Sequence, residues 1–162
     1  MPSIEDLCRD LAAEQESLDG VLAGLAPAEW SRPTPATGWD IRDSISHLCF
    51  FEEAAALSVR DPAAFDLHRQ QLMRDLSSAA ASGRPSPDVA LGRALDPAEL
   101  LERWRQARRS YISAVTEADQ LVRYEGRRLR VDWYGPAMSP ASFTTARILE
   151  AWAHGADVRD AL

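Results

Sequence analysis

The sequence has little cysteine, and neither of its two cysteines belongs to a recognisable motif. Cys8 and Cys49 lie far apart in helical-looking segments, with no CxxC pair and no repeated spacing. We expect two buried thiols rather than a disulfide, as is usual for a cytoplasmic protein. Cys49 also lies two residues from His47, so the two side chains point to different sides of a helix. A Cys–His catalytic dyad is therefore not expected.

Long apolar runs and an excess of basic charge are also missing. No stretch approaches the roughly 20 apolar residues of a membrane span, and acidic side chains interrupt the amino-terminal segment where a signal peptide would have its apolar core. The formal net charge of −7 argues against a basic face for nucleic-acid backbones. The composition therefore predicts a cytoplasmic protein that binds neither membranes nor nucleic acids.

Runs of valine, isoleucine and threonine are scarce, whereas alanine, leucine, glutamate and arginine are abundant. This composition favours helices over strands nearly throughout. The length of 162 residues fits one domain, residues 1–162, with a real core. The GxSxG, P-loop, dinucleotide-binding and HExxH motifs are all absent, so any chemistry must come from side chains scattered along an all-α chain.

Helix signals divide the chain into amphipathic segments joined by irregular connections. Ser3, Asp40 and Asp96 are suited to cap helices, and Ser139 or Ser142 to cap the last one. The predicted helices run over about 3–25, 40–59, 62–81, 96–118 and from the last cap to near the end of the chain. The stretch 83–95 contains two prolines and two glycines, and we interpret it as a connection with mobile sections. The pattern predicts a four-helix bundle with an additional helix and a long irregular connection before the last one.

That long connection, between Leu121 and Ser142, alternates arginines with aromatic and apolar residues. One interpretation is a solvated connection whose aromatic rings pack against the bundle. The other is a basic, aromatic lid that receives an anionic substrate. The second interpretation makes four residues candidates for substrate binding, with Arg123 and Arg128 as further anion-steering groups. The four candidates are Arg127, Arg130, Trp133 and Tyr134.

The last helix carries Glu150 and His154 four residues apart, which stacks a carboxylate and an imidazole on one face. This spacing suits a divalent metal ion, but it also occurs by chance. A plain Glu–His hydrogen bond or a core histidine explains the pair equally well. Most of the surrounding helix is apolar, so both polar groups are expected near the interior, where they need partners.

A third ligand is needed, and His47 on the second apolar helix is the best candidate. It is otherwise a histidine packed near Cys49 or Trp39. The remaining histidine, His68, lies in a polar helix and is expected to face solvent.

Two histidines and one carboxylate would fill three positions of a metal site and leave one open for water or substrate. An open position indicates chemistry rather than a purely structural role. Asp157, three residues after His154, either fixes the tautomer of that ring from outside the ligand set or is a surface acid.

Several segments together resemble a known family, the DinB-like metal-binding helical bundles. Within it, the chain is similar to the amino-terminal domain of the mycothiol-dependent maleylpyruvate isomerases. The resemblance rests on residues 14–30, on RPTPATGWDI at 32–41, on the SHL that contains His47, and on EAWAHGADV at 150–158.

The resemblance implies that His47, Glu150 and His154 bind a divalent metal, usually zinc, with nickel or another divalent ion as alternatives. It also implies a low-molecular-weight thiol such as mycothiol or bacillithiol as cosubstrate, and thiol-dependent isomerisation of, or S-transfer to, an electrophile. Isomerase-type relatives carry a further carboxyl-terminal domain, whereas this sequence stops just past the metal helix. Two alternatives therefore stay open: a non-catalytic metal-binding or ligand-sensing bundle that forms a homodimer, and a bundle without metal.

Overall fold

The computed structural model describes residues 2–126 and 128–162, and over these ranges the protein is helical. The helices are α1 (Ile4–Ala23), α2 (Ile41–Arg60), α3 (Pro62–Ser82), α4 (Pro87–Arg93), α5 (Pro97–Tyr124) and α6 (Pro140–Asp160), with a 3-10 helix at Pro27–Ser31. The described ranges contain no strand, only the isolated bridges Pro33–Asp40 and Val131–Met138. The predicted all-α fold is confirmed.

The helix starts agree with the caps read from the sequence. Ser3, Asp40 and Asp96 each accept a hydrogen bond from the backbone three residues on, and an acidic residue completes each capping box. Ser139 caps α6 by accepting from the Ser142 backbone N–H at 3.1 Å. These contacts are local, so they could be predicted. The end of α5 could not: the helix continues to Tyr124, beyond the expected end near residue 118.

Helices α1, α2, α5 and α6 form the bundle: α1 and α2 each contact both α5 and α6, while α3 and α4 pack against α2. One core cluster includes Leu18, Ile45, Trp104 and Val158, and a second includes Leu11, Tyr111 and Phe143. Among the described residues, no helix combines the length and apolar character that crossing a bilayer requires.

Helix α4 corrects the prediction of a mobile connection at 83–95. Pro87 begins the helix and Val89 is buried, with 4% of its surface exposed. Ser46 on α2 links the two helices, because its hydroxyl donates to the Asp88 carbonyl and accepts from the Gly92 backbone N–H at 2.7 Å. A helix this short gives no clear periodicity and owes its stability to packing rather than to propensity.

Replacing Gly92 by alanine should loosen this docking. A Cβ at Gly92 would lie 2.5 Å from Ser46 Cβ, closer than real Cβ atoms approach. We expect a loss of about 1–3 kcal/mol in unfolding free energy, the usual cost of overpacking, measured by urea denaturation. Gly20→Ala on α1 is the matched control, since nothing lies within 4 Å of its Cβ position. Equal stability of Gly92→Ala and the wild type would show that α4 is not tightly docked.

Both cysteines are free and buried, as predicted. Burial raises the pKa of the Cys49 thiol to about 12. At neutral pH this group is a protonated thiol packed in the core. It is therefore unsuited to act as a nucleophile.

Candidate metal centre

Helices α2 and α6 bring together the three residues predicted as ligands. One donor atom from each of His47, Glu150 and His154 lies within 4.8 Å of the others. The Nε2 atoms of both histidines point at the same carboxylate oxygen, Glu150 Oε2, at 3.5 Å for His47 and 3.6 Å for His154. Two imidazoles and a carboxylate thus converge on one small volume.

The contacts behind His47 indicate how this group can accept a cation. Nδ1 of His47 lies 2.8 Å from Asp88 Oδ2, so we infer that it carries a proton and donates to that carboxylate. Nε2 then presents a lone pair toward Glu150, and two groups that both offer lone pairs need a cation between them. The donor set of two imidazoles and one carboxylate is typical of zinc sites with an open position. The residues therefore fit a divalent metal.

The charges at this centre favour an ionised Glu150. The imidazoles of His154 and His47 beside it hold the pKa of Glu150 well below its usual range, despite partial burial. Burial lowers the pKa of His47, but its contacts with Asp88 and Glu150 outweigh it, and the net pKa is raised. Glu150 is therefore an ionised carboxylate at neutral pH, the form that binds metals.

Asp157 lies beside His154 but not in hydrogen-bonding contact. Its Oδ2 is 3.6 Å from His154 Nδ1, longer than a hydrogen bond. That Nδ1 atom is buried and has no hydrogen-bond partner among the described residues. The role of Asp157 in fixing the tautomer of His154 therefore stays a prediction.

Asp88 is the residue of this centre that sequence reasoning missed. It lies on α4, within the stretch interpreted as a mobile connection, and only 7% of its surface is exposed. Its contact with His47 spans 41 positions of sequence, so no local pattern could reveal it. The available signal was the sequence Ser86-Pro87-Asp88, which is a plausible helix start.

Aromatic rings hold the two histidines in place. Trp39 stacks on His154 with ring centroids 5.6 Å apart and an interplanar angle of 22°. The Trp39 ring also lies 5.1 Å from His47, and Phe51 lies 4.7 Å from it on another side. His47 therefore packs near Trp39, as one interpretation of the sequence predicted. It also lies beside Glu150 and His154.

The connection before α6 supplies two more rings. Trp133 stacks on Phe65 at 5.6 Å and 3°, and both Trp133 and Tyr134 contact Phe51, at 6.2 and 5.7 Å. Phe51 therefore contacts both these rings and His47. This arrangement agrees with aromatic rings packed against the bundle, and a role in substrate binding stays a prediction.

The structure describes one of the two arginines predicted to bind substrate. Arg130 is exposed and donates to the Ala137 carbonyl within the connection itself. Arg127 lies outside the described residues.

His68 does not face solvent freely, contrary to the sequence prediction. Its Nε2 lies 2.9 Å from the Tyr134 hydroxyl, and the histidine is half-buried between α3 and the connection. Burial lowers the pKa of His68, which favours the neutral ring. The polar face of α3 therefore anchors the connection near the metal centre.

A helical bundle with a two-histidine, one-carboxylate site between two helices defines a class of candidate metal-binding proteins. The sequence model of one family, described as the mycothiol maleylpyruvate isomerase N-terminal domain, matches residues 11–159. The chain belongs to this DinB-like family.

Its relatives include two uncharacterized proteins of Mycobacterium tuberculosis, from strains CDC 1551 and H37Rv. Each is 41% identical to this chain over 155 residues, which cover 94% of the chain and 55% of the relative. The chain thus spans about half the length of these curated relatives.

Solved structures with a similar fold include the mycothiol-dependent maleylpyruvate isomerase and a point mutant of that enzyme. The TM-scores are 0.65 and 0.67, with 17% and 15% sequence identity. Each match covers 97% of this chain and 61% of the solved chain. At this level of identity, the similarity shows the fold alone.

Proposed function

We propose that this protein binds one divalent metal ion through His47, Glu150 and His154. Zinc is the first candidate, because two imidazoles and a carboxylate are a common zinc ligand set, and nickel or another divalent ion is the alternative. The observation that carries the proposal is the convergence of two histidine Nε2 atoms on Glu150 Oε2, at 3.5 and 3.6 Å. Asp88 positions His47 from behind, and Asp157 is proposed to support His154.

We further propose that a small thiol of the mycothiol type binds at the open position of this centre. A bound divalent cation lowers the pKa of a thiol and so supplies a thiolate nucleophile at neutral pH. The reaction would be isomerisation of an electrophile, by addition of the thiol, or transfer of the sulfur onto it. Trp133 and Tyr134, with Arg127 and Arg130, are the proposed electrophile-binding residues, and the name of the matched family supports this class of reaction.

The alternative is a non-catalytic metal-binding or ligand-sensing bundle that forms a homodimer. The chain spans only 55% of the length of its curated relatives, and the rest of such a relative can contribute to that relative's activity. The enzyme and the non-catalytic bundle both include the metal centre. They differ in whether a thiol binds at it.

Thiol titration of the cobalt-substituted protein separates the two. With mycothiol we expect an absorption band of thiolate-to-cobalt charge transfer that saturates with added thiol, because cobalt reports directly on a bound sulfur. The disulfide of the same thiol is the matched control, since it has no ionisable S–H group and should give no band. A cobalt-loaded protein that shows no band with the thiol would contradict the enzyme proposal and favour the non-catalytic bundle.

A further inference from the structure

A group of buried polar side chains lies in the core between α1, α2 and α6, and none of them is a proposed metal ligand. Gln15 and Glu52 are each 1% exposed and Arg147 is 5% exposed. Gln15 Nε2 donates a hydrogen bond of 3.2 Å to Glu52 Oε1. The three side chains form what we term the core polar cluster.

Most of the polar atoms in this cluster lack partners. Glu52 Oε2, Gln15 Oε1 and the Nε and Nη1 atoms of Arg147 are buried without a hydrogen-bond partner among the described residues. Buried polar groups are almost always satisfied, so these four atoms need hydrogen-bond partners. Two acceptors and two donors match the capacity of water, which can donate to the oxygens and accept from the guanidinium. We therefore interpret the core polar cluster as hydrated.

The cluster adjoins the candidate metal centre. Arg147 precedes Glu150 by three residues on α6, and Glu52 follows His47 by five residues on α2. The guanidinium of Arg147 also lies over the Trp133 ring, 5.5 Å from its centroid. Arg147 acts electrostatically on both Glu52 and Glu150, and the charge of Glu150 acts on Glu52. The core polar cluster therefore interacts electrostatically with the metal centre.

The surroundings of Glu52 suit a group that gains and loses a proton near neutral pH. Burial raises the pKa of Glu52 to about 7, while Arg147 and the hydrogen bond from Gln15 oppose this and Glu150 adds to it. From α5, Tyr111 is the titratable group that interacts with Glu52, and Cys49 does so from the same helix. Both Tyr111 and Cys49 stay neutral, because burial raises the pKa of each far above 7.

We propose that Glu52 is the proton acceptor for a thiol that binds at the metal centre, reached through water held in the core polar cluster. This inference rests on the proposed thiol-binding function. The S–H bond breaks, the electron pair stays on sulfur, and the proton passes through water to Glu52 Oε2, which becomes a neutral carboxyl. The negative charge thus moves from the core to the thiolate, and the total charge of the site is unchanged. When the thiol leaves, the same carboxyl returns the proton.

Proton counting by calorimetry tests this role. Mycothiol is titrated into the cobalt-loaded protein at pH 8, in two buffers of different ionisation enthalpy, so that released protons are measured directly. In the wild type the negative charge of the bound thiolate raises the pKa of Glu52 further, so the carboxyl keeps the proton at pH 8 and little is released. In Glu52→Gln, which keeps the shape of the side chain but cannot accept a proton, about one more proton per bound thiol should be released.

A neighbouring acid and a change of pH provide the controls. Glu53→Gln removes a carboxylate that pairs with Arg103 near the surface and should behave as the wild type. In the wild type itself, lowering the pH from 8 to 6 should raise the release toward one proton, because Glu52 is then already protonated. This second measurement needs no variant to fold.

The outcomes separate the two proposals. Equal proton release by Glu52→Gln and the wild type at pH 8, with the charge-transfer band present in both, would overturn the role of Glu52 and leave the thiol function standing. Equal proton release by the wild type at pH 6 and pH 8 would also contradict the role of Glu52. Absence of the band from the wild type would overturn both proposals.

Discussion

Loss of stoichiometric metal binding is the expected result of His154→Ala and, separately, of His47→Ala. Each change removes one of the three side chains that, among the described residues, converge within 4.8 Å, and the two that remain cannot enclose a cation. Changes outside the ligand set typically cost roughly 10–100-fold in metal affinity, so removal of a ligand should cost more than 100-fold. Metal content after dialysis, and competition with a chelator of known affinity, measure the loss.

His68→Ala is the matched control for both variants. It removes the third histidine of the chain, which contacts Tyr134 rather than Glu150. Its metal content should equal that of the wild type. If His47→Ala and His154→Ala also keep the wild-type metal content, the site is not at these residues and the proposed function fails with it.

A metal affinity weaker by roughly 10–100-fold is expected for Asp88→Ala, the typical cost of losing the partner behind a metal-binding histidine. Asp88 accepts from Nδ1 of His47 at 2.8 Å, which sets both the ring orientation and the tautomer that leaves Nε2 free. Without this carboxylate, the ring can rotate and either nitrogen can carry the proton. A zinc titration of the refolded, metal-free protein measures the change.

Two further variants show whether the effect is specific. Asp88→Asn keeps an oxygen that can accept from Nδ1 but removes the charge, so its affinity should lie between those of Asp88→Ala and the wild type. Asp10→Ala removes an exposed carboxylate on α1 and should leave the affinity unchanged. An Asp88→Ala protein that binds zinc as tightly as the wild type would show that His47 does not depend on α4.

The helices could be predicted because their causes lie within a few residues. Ser3, Asp40 and Asp96 cap helices through contacts three positions away, and apolar side chains three or four apart then indicate which face is buried. Helix α4 could not be predicted in the same way. It has seven residues, and its stability depends on Ser46 in another helix.

The candidate ligands lay within reach of sequence reasoning, since Glu150 and His154 are neighbours on one helix and His47 lies on another apolar one. The buried polar residues around those ligands could not be predicted from the sequence. Asp88 contacts His47 across 41 positions of sequence and Gln15 contacts Glu52 across 37, and neither pair has a distinctive spacing. For the connection before α6, the sequence left a packed connection and a lid over the metal both open. The structure shows Arg130 bonded within the connection and Trp133 packed on Phe65, and a role in substrate binding stays a prediction.

By itself, the sequence determined the all-α class, the start of each long helix and the identity of the three candidate metal ligands. The class and the helix starts follow from composition and caps, and the pair Glu150 and His154 follows from spacing along one helix. His47 was inferred from its place on a second apolar helix and from the resemblance to a known family. Only the tertiary structure decided that His47 lies opposite Glu150 and His154, that Asp88 lies behind His47, and that Glu52 and Arg147 are buried and interact electrostatically. The physical reason is that these contacts join separate helices, and their geometry exists only after the packing of the bundle brings α2, α4 and α6 together.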